Sequence, residues 1–225
     1  MDRQTLLRSV PIFTCLNDEH LRMLSVNLAT RRFARGETIF LQGSVGNELY
    51  IIIDGQVRIY TVSESGQEFS VMIFCSQDFF GELALLDGQL RSASAVAMRP
   101  TTTVMLHRDA FQHVIIESPQ IAVSVMEALS YRLRHANTYL EHLAVHSAPQ
   151  RVVRRLLDLA DQHGVTDGEM TRIDLHLTQD DLASLAGTTR ETVNRVLAGL
   201  RDQGLIRVER ARVSVLNLGL LEQLG

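Results

Sequence analysis

The sequence predicts an α+β fold in which an antiparallel β-roll, one long helix and a small helical domain with a β-hairpin follow one another. Seven of the fourteen glycines lie between Gly36 and Gly88, where they separate short runs rich in Val, Ile, Phe and Tyr. Such runs are typical of strands joined by tight turns. A seven-residue apolar repeat follows, and then two capped amphipathic segments precede a hairpin pattern. The predicted domains are residues 1–118, 119–148 and 149–225.

Composition excludes several classes of protein. The chain has 225 residues, of which 45% are hydrophobic, enough for a packed core in more than one domain. It has no run of about 20 apolar residues and no signal-peptide pattern, so we predict a cytoplasmic protein without a membrane partner. Cys15 and Cys75 are too few for a disulfide framework or an iron–sulfur cluster. The sequence contains no nucleophile–base pair or metal triad, and we predict neither an enzyme nor a metal site.

The charge distribution is uneven along the chain. The formal net charge is −4, and all 22 basic side chains are arginines. Between residues 188 and 212 there are six arginines and only three acidic residues. Because a polyanion responds to local rather than total charge, this segment is a candidate nucleic-acid surface.

The β-roll is predicted from its strands and turns. Asp54–Gly55 is expected to form a two-residue hairpin turn between strands at Tyr50–Ile53 and Val57–Val62. Further strands are expected in the runs FSVMIF, SASAVAM and TTVMLH. Before the roll, the helical spacing of Leu21, Leu24 and Leu28 predicts a helix packed against it.

The long helix begins after Pro119, and its apolar residues follow a strict heptad pattern. The a and d positions are Met126, Leu129, Leu133, Ala136, Leu140 and Leu143. This spacing favours a two-chain coiled coil over a helix that packs only on its own domain. Pro149 is expected to break the helix and to begin the next one.

The C-terminal segment LTQDDLASLAGTTRETVNRVLAGLRDQGLI predicts two helices joined by a turn at residues 186–188. Thr178 is expected to cap the first helix, and Thr188 the second in a capping box with Glu191. The apolar faces leave an exposed front typical of a recognition helix in a helix-turn-helix. The segment IRVERARVSVLN then predicts the hairpin of a winged helix, with Arg207, Arg210 and Arg212 available to a DNA backbone.

An arginine can donate two hydrogen bonds to guanine, a glutamate can accept one from cytosine, and hydroxyl groups can bind phosphates. The exposed front therefore has the chemistry of direct readout. A protein-interaction module is the alternative for a winged helix. The candidate DNA-binding residues are Thr178, Thr188, Thr189, Arg190, Glu191, Thr192, Asn194, Arg195, Arg210 and Arg212.

Two of these motifs resemble one family. TTRETVNRVLAGLRDQGLI resembles the recognition helix of the Crp/Fnr family of bacterial regulators, and FGELALLDGQLRSASAV resembles that family's phosphate-binding cassette. The resemblance covers nearly the whole chain. It implies a β-roll of the cyclic-nucleotide-binding type, a dimerisation helix and a winged helix-turn-helix. The implied function is ligand-responsive transcription regulation by a homodimer on palindromic double-stranded DNA, with RNA polymerase as a partner.

The motifs are closest to the cyclic AMP receptor protein branch of the family. Arg190, Glu191 and Arg195 match its three base-reading positions, which implies a half-site similar to GTGA. The effector implied is cyclic AMP. The family's habit favours an activator over a repressor, and a cyclic-nucleotide module acting on a partner protein is the competing interpretation.

The same resemblance implies the ligand-binding residues. Glu82 would bind the ribose, Arg91 and Ser92 the phosphate, and the backbone of Gly81, Leu83 and Ala84 would complete the cradle. Arg132 matches the residue that pairs with the cassette glutamate. Asn137 is placed to reach a base, although Ala136–Asn137 replaces the Thr-Ser of that branch, so the identity of the base stays open, as does haem as an effector. We expect Arg91 to have no structural partner besides the ligand.

Overall fold

The computed structural model describes residues 3–64, 66–168 and 170–225, so the first two residues of the predicted first domain lie outside the described ones. The chain forms two compact units. One comprises Met1–Ser65 and Val71–His135, and the other comprises Gly66–Ser70 and Ala136–Gly225. The three domain ranges drawn from the sequence stay predictions.

The chain begins with short helices. Helix α1 spans Arg3–Ser9, and helix α2 spans Asp18–Val26. Asn17 caps α2 by accepting a hydrogen bond from the backbone N–H of His20 at 2.8 Å. Leu21 and Leu24 are buried as predicted. Leu28 is not on this helix: α2 ends at Val26, and Leu28 begins the first strand.

In its described residues, the roll consists of eight strands and one short helix. Strands β1 to β8 span Leu28–Phe33, Thr38–Phe40, Glu48–Asp54, Val57–Val62, Glu68–Phe74, Phe79–Phe80, Ser94–Ala97 and Thr101–His107, and helix α3 spans Glu82–Asp87. They form two four-stranded sheets with the orders β1-β8-β3-β6 and β2-β7-β4-β5. The registers resolved between strands are antiparallel, which confirms the predicted roll.

The predicted hairpin at Asp54–Gly55 is wrong, because β3 and β4 belong to different sheets. Strand β3 pairs with β8 and β6, whereas β4 pairs with β7. Gly55 has φ +130°, and a Cβ there would lie 2.3 Å from Oγ1 of Thr101. The close approach of β8 therefore requires glycine, and Asp54–Gly55 is the corner at which the chain crosses between sheets.

Two buried clusters hold this unit together. Between the sheets, Tyr50 and Phe74 both stack on Phe80, with ring centroids 5.2 and 6.2 Å apart. The second cluster packs the first sheet against α1, α2, helix α4 (Arg108–Glu117) and the start of helix α5 (Gln120–Val145). Ile121 and Val125 are the residues of α5 that this cluster buries. The roll thus has a core on each side of its first sheet.

The remainder of α5 exposes its apolar stripe. Met126, Leu133 and Leu140 are 56%, 63% and 61% exposed, whereas Leu129 packs partly against the core. Helix α6 spans Ala148–His163, with Ser147 as its N-cap and Pro149 in its first turn. Pro149 thus begins the next helix as predicted, whereas α5 already ends four residues before it, at Val145. Within the described ranges, no helix is both long and apolar enough to span a membrane.

After α5, the described residues of the second unit form four helices and a small sheet. After α6 come β9 (Gly164–Asp167), β10 (Met170–Ile173), α7 (Gln179–Ala186), α8 (Arg190–Asp202), β11 (Ile206–Glu209), β12 (Arg212–Val215) and α9 (Leu218–Glu222). The sheet order is β11-β12-β10-β9. The β11–β12 hairpin is the predicted wing, and it follows the recognition helix α8 directly. The winged helix-turn-helix is therefore present.

Candidate ligand cradle and nucleic-acid interface

The candidate ligand cradle comprises Gly46, Gly81–Ala84 and Arg91. Gly81 has φ +82° and directly precedes α3, and a Cβ on it would lie 2.7 Å from Nη1 of Arg91. A Cβ on Gly46 would lie 2.3 Å from Nε of the same arginine. Glycine at both positions lets the main chain lie directly against the guanidinium of Arg91. Only 3% of the Arg91 side chain is exposed.

Arg91 has several partners in the protein itself, so the expectation that it had none besides a ligand is wrong. Its Nη1 donates to the carbonyl of Gly81 at 2.6 Å, and its Nη2 donates to the carbonyl of Glu48 at 2.9 Å. The guanidinium carbon lies 4.2 Å from the ring centroid of Phe40, a cation–π contact. Burial lowers the pKa of Arg91, whereas the nearby Tyr50 and Glu48 side chains act to raise it. These contacts arise from positions distant in sequence.

The cassette glutamate is buried and paired. Nη1 of Arg132 donates to Oε1 of Glu82 at 2.7 Å, and only 5% of the Glu82 side chain is exposed. Nη2 of Arg132 donates to the carbonyl of Phe79, and its guanidinium lies over the rings of Phe74 and Phe79 at about 4.5 Å. The pairing implied by the resemblance is therefore observed. It joins α3 to α5 within the first unit.

Two further residues of the cradle were missed by sequence reasoning. Arg108, at the start of α4, donates to the carbonyls of Gly46 at 3.2 Å and Ala84 at 2.6 Å. Oε2 of Glu48 lies 3.5 Å from Nη2 of Arg91. Neither residue lies in a motif, because the residues that each one contacts are more than 20 positions away in the sequence.

The other predicted ligand residues are placed as follows. Ala84 is buried on α3, whereas Leu83 is 41% exposed and Ser92 is exposed. Asn137 is exposed on α5 and belongs to the second unit. Among the described residues, Nε of Arg91 is buried without a hydrogen-bond partner. A buried guanidinium with a spare N–H, beside glycines that admit the main chain, fits an anionic group.

The recognition helix presents the predicted front. Thr189, Arg190, Glu191, Asn194 and Arg195 are all exposed. The apolar side of α7 and α8 is buried at Leu182, Leu185, Val193, Leu197 and Leu200, with Val196 half-buried. Nη1 of Arg190 lies 3.3 Å from Oδ2 of Asp180, and both side chains are more than 60% exposed. Such an exposed pair is weak and leaves Arg190 able to exchange its partner.

The cap of α8 differs by one residue from the prediction. Thr189, not Thr188, accepts the hydrogen bond from the backbone N–H of Thr192 at 3.3 Å. The N–H of Thr188 still bonds to the carbonyl of Ala183, so this residue belongs to the end of α7. Thr178 caps α7 as predicted, and its hydroxyl donates to Asp181 at 2.6 Å. Thr188 and Thr192 are half-buried.

The wing and the turn of the motif complete the candidate interface. Arg210 and Ala211 form the wing turn with φ of +48° and +63°, and Arg210 and Arg212 are exposed. Arg151 on α6, which no motif indicated, donates to the carbonyls of Ala186 at 2.9 Å and Gly187 at 2.8 Å. Arg151 thus holds the turn between α7 and α8 in place.

Comparison with known proteins identifies the families of both domains. Residues 30–118 match the cyclic nucleotide-binding domain family, and residues 150–224 match the Crp-like helix-turn-helix domain family. The chain is 35% identical to a CRP-like cAMP-activated global transcriptional regulator of Mycobacterium tuberculosis, over 93% of this chain and 94% of that protein. It is also 35% identical to the cyclic AMP receptor protein of Thermus thermophilus, over 97% and 98% of the two chains.

Solved structures extend the comparison. The catabolite activator protein of Thermus thermophilus superposes with a TM-score of 0.54 at 34% identity, over 95% of this chain and 97% of that one. A cyclic-nucleotide-binding domain joined to a Crp-like helix-turn-helix defines a class of DNA-binding transcription regulators. The chain belongs to the Crp/Fnr family of that class.

Proposed function

We propose that the protein regulates transcription as a homodimer on a palindromic DNA site and that cyclic AMP controls this binding. The observation that carries the ligand assignment is the cradle: the buried Arg91 lies against Gly46 and Gly81, with a spare N–H at Nε. Arg91 and Ser92 would hold the phosphate, and Glu82 the ribose hydroxyl. Because its proposed partner is DNA, we place the protein in the cytoplasm. From the family resemblance we propose RNA polymerase as a further partner.

The pairing of Glu82 with Arg132 supports the link between ligand and dimer. A ribose that hydrogen-bonds to Glu82 changes the surroundings of Arg132, which lies on α5 one residue before the seam residue Leu133. A ligand can shift an equilibrium only by its difference in affinity for the two states. Two dimer states that differ at α5 would therefore differ in affinity for the nucleotide. Asn137, four residues after Leu133, remains the candidate for the base.

This proposal is tested by measuring DNA binding with and without cyclic AMP. The probe is a duplex with two GTGA-type half-sites one helical turn apart, about 34 Å, and a random duplex of equal length is the control. We expect cyclic AMP to raise affinity for the palindrome and leave the random duplex unchanged at the same salt concentration. A titration calorimetry signal should accompany this change. No calorimetric binding and no effect on the palindrome would contradict control by cyclic AMP.

Replacing Arg190 by alanine is expected to weaken binding to the specific site by ~1–3 kcal/mol, since a bidentate contact to guanine is lost. The measurement is fluorescence anisotropy with the palindrome and with duplexes that vary one base pair at a time. We expect preference to relax at one guanine only.

Arg210→Ala is the matched control, because Arg210 lies on the wing turn and is proposed to contact phosphate. It should weaken specific and random duplexes alike and reduce the dependence of affinity on salt. Equal losses on both duplexes for Arg190→Ala would contradict its role in base recognition.

A further inference from the structure

The acidic residue beside Arg91 has a role that the motifs do not assign. Glu82 is committed to Arg132 at 2.7 Å, whereas the carboxylate of Glu48 lies 3.5 Å from Nη2 of Arg91. Arg91 is almost completely buried, and the Glu48 side chain is 38% exposed. Glu48 is therefore the carboxylate that lies beside the Arg91 guanidinium.

The anchoring of Arg91 does not depend on this carboxylate. The two short hydrogen bonds of Arg91 go to main-chain carbonyls, those of Gly81 and of Glu48 itself. Its guanidinium also packs on the ring of Phe40. The carboxylate at 3.5 Å is longer than a charge-assisted hydrogen bond, which is about 2.8 Å. The Glu48 carboxylate therefore acts on Arg91 mainly through its charge. Removing that charge leaves the main-chain hydrogen bonds and the ring contact of Arg91 in place.

A fixed negative charge at this position repels any anion that binds to Arg91. An anion hydrogen-bonded to the same guanidinium lies within roughly 7 Å of the Glu48 carboxylate, given a hydrogen bond of about 2.8 Å. At an effective dielectric of about 35, between the value of about 20 near a protein surface and that of bulk water, repulsion between two unit charges at this distance changes affinity about tenfold. The repulsion is proportional to the ligand's charge, so a dianion is penalised about twice as strongly in free energy.

We propose that Glu48 determines the charge selectivity of the cradle, admitting a singly charged cyclic phosphodiester and disfavouring a doubly charged phosphate monoester. This inference rests on the proposed binding of a cyclic nucleotide. It explains why an arginine whose purpose is to bind phosphate lies next to a carboxylate. Arg108, which contributes a second positive charge near Arg91, acts in the opposite direction.

The test is calorimetric titration of the full chain with cyclic AMP and with 5′-AMP at pH 8, where the monoester, with a second pKa of about 6, is a dianion. The variant Glu48→Gln keeps the shape and the main-chain carbonyl. We expect it to bind cyclic AMP about tenfold more tightly and 5′-AMP about 100-fold more tightly than the unaltered protein.

Glu117→Gln is the matched control for net charge. Glu117 is exposed at the end of α4 opposite Arg108, about 13 Å away along the helix. It should leave both affinities within about twofold, since exposed charges at that distance are screened. Thermal unfolding curves of all three proteins establish that they are equally folded.

The outcomes separate this inference from the proposed function. Cyclic AMP binding that Glu48→Gln leaves unchanged or weakens, or an equal gain for both ligands, overturns the role of Glu48 and leaves the proposed function standing. So does a variant that still fails to bind 5′-AMP at millimolar concentration. If neither protein binds either nucleotide, the proposed function fails as well. Binding of cyclic AMP by Glu48→Gln but not by the unaltered protein would contradict both the proposed function and the admission of a cyclic phosphodiester beside Glu48.

Discussion

Replacing Arg91 by leucine is expected to abolish cyclic nucleotide binding and also to lower the free energy of unfolding by about 2–4 kcal/mol. The first effect follows because the only cation proposed to hold the phosphate is removed. The second follows because the carbonyls of Gly81 and Glu48 lose their donor in a buried site. The measurements are titration calorimetry with cyclic AMP and denaturant unfolding of the same preparations.

Arg108→Leu is the control that separates the two effects. Arg108 also donates to two main-chain carbonyls of the cradle, those of Gly46 and Ala84. It has no proposed contact with the ligand. We expect a similar loss of stability but retention of nucleotide binding, weakened by no more than about tenfold. If Arg108→Leu abolished binding as completely as Arg91→Leu, the role of Arg91 would be structural.

Replacing Leu133 by glutamate is expected to dissociate the proposed dimer. Leu133 is an a position of the heptad repeat and is 63% exposed on the single chain. In a two-chain coiled coil it would face its counterpart, and two carboxylates there would be buried without partners. We expect the dimer to weaken by more than about 100-fold and affinity for the palindrome to fall with it, since one chain contacts one half-site.

Val145→Glu provides a matched substitution on the same helix. Val145 is 69% exposed, but it lies at an f position, away from the seam. This variant should remain dimeric and should bind the palindrome like the unaltered protein. Sedimentation equilibrium measures the dimer, and anisotropy measures DNA binding. A dimeric Leu133→Glu variant with unaltered affinity would contradict the assignment of the seam.

Local patterns predicted the features that depend on neighbouring residues. Thr178 caps α7, Pro149 lies in the first turn of α6, and the exposed front of α8 is as expected. Each depends on spacing within one helix or turn. The cap of α8 was one residue off, because Thr188 and Thr189 are chemically equivalent candidates. Only the end of α7 at Gly187 decides between them.

The turn at Asp54–Gly55 shows where local patterns fail. The dipeptide is a strong hairpin signal, and strands do flank it. Strand β3 nevertheless pairs with β8, which begins almost 50 residues later, and Gly55 is required by the approach of Thr101. Alternation within a strand indicates which residues are buried. It carries no information about which strand is the neighbour.

The sequence by itself determined the order of roll, long helix and winged helix-turn-helix, the heptad repeat of the long helix and the two motifs that indicate the family. These are encoded by short-range periodicity and by residues close together in the chain. The tertiary structure alone decided which strands pair, that Arg91 is supported by Gly81 and Glu48, and that Arg108 and Glu48 belong to the cradle. The physical reason is that these contacts join residues 10 to 62 positions apart, and their partners are mostly backbone carbonyls, which every residue carries and no sequence pattern distinguishes.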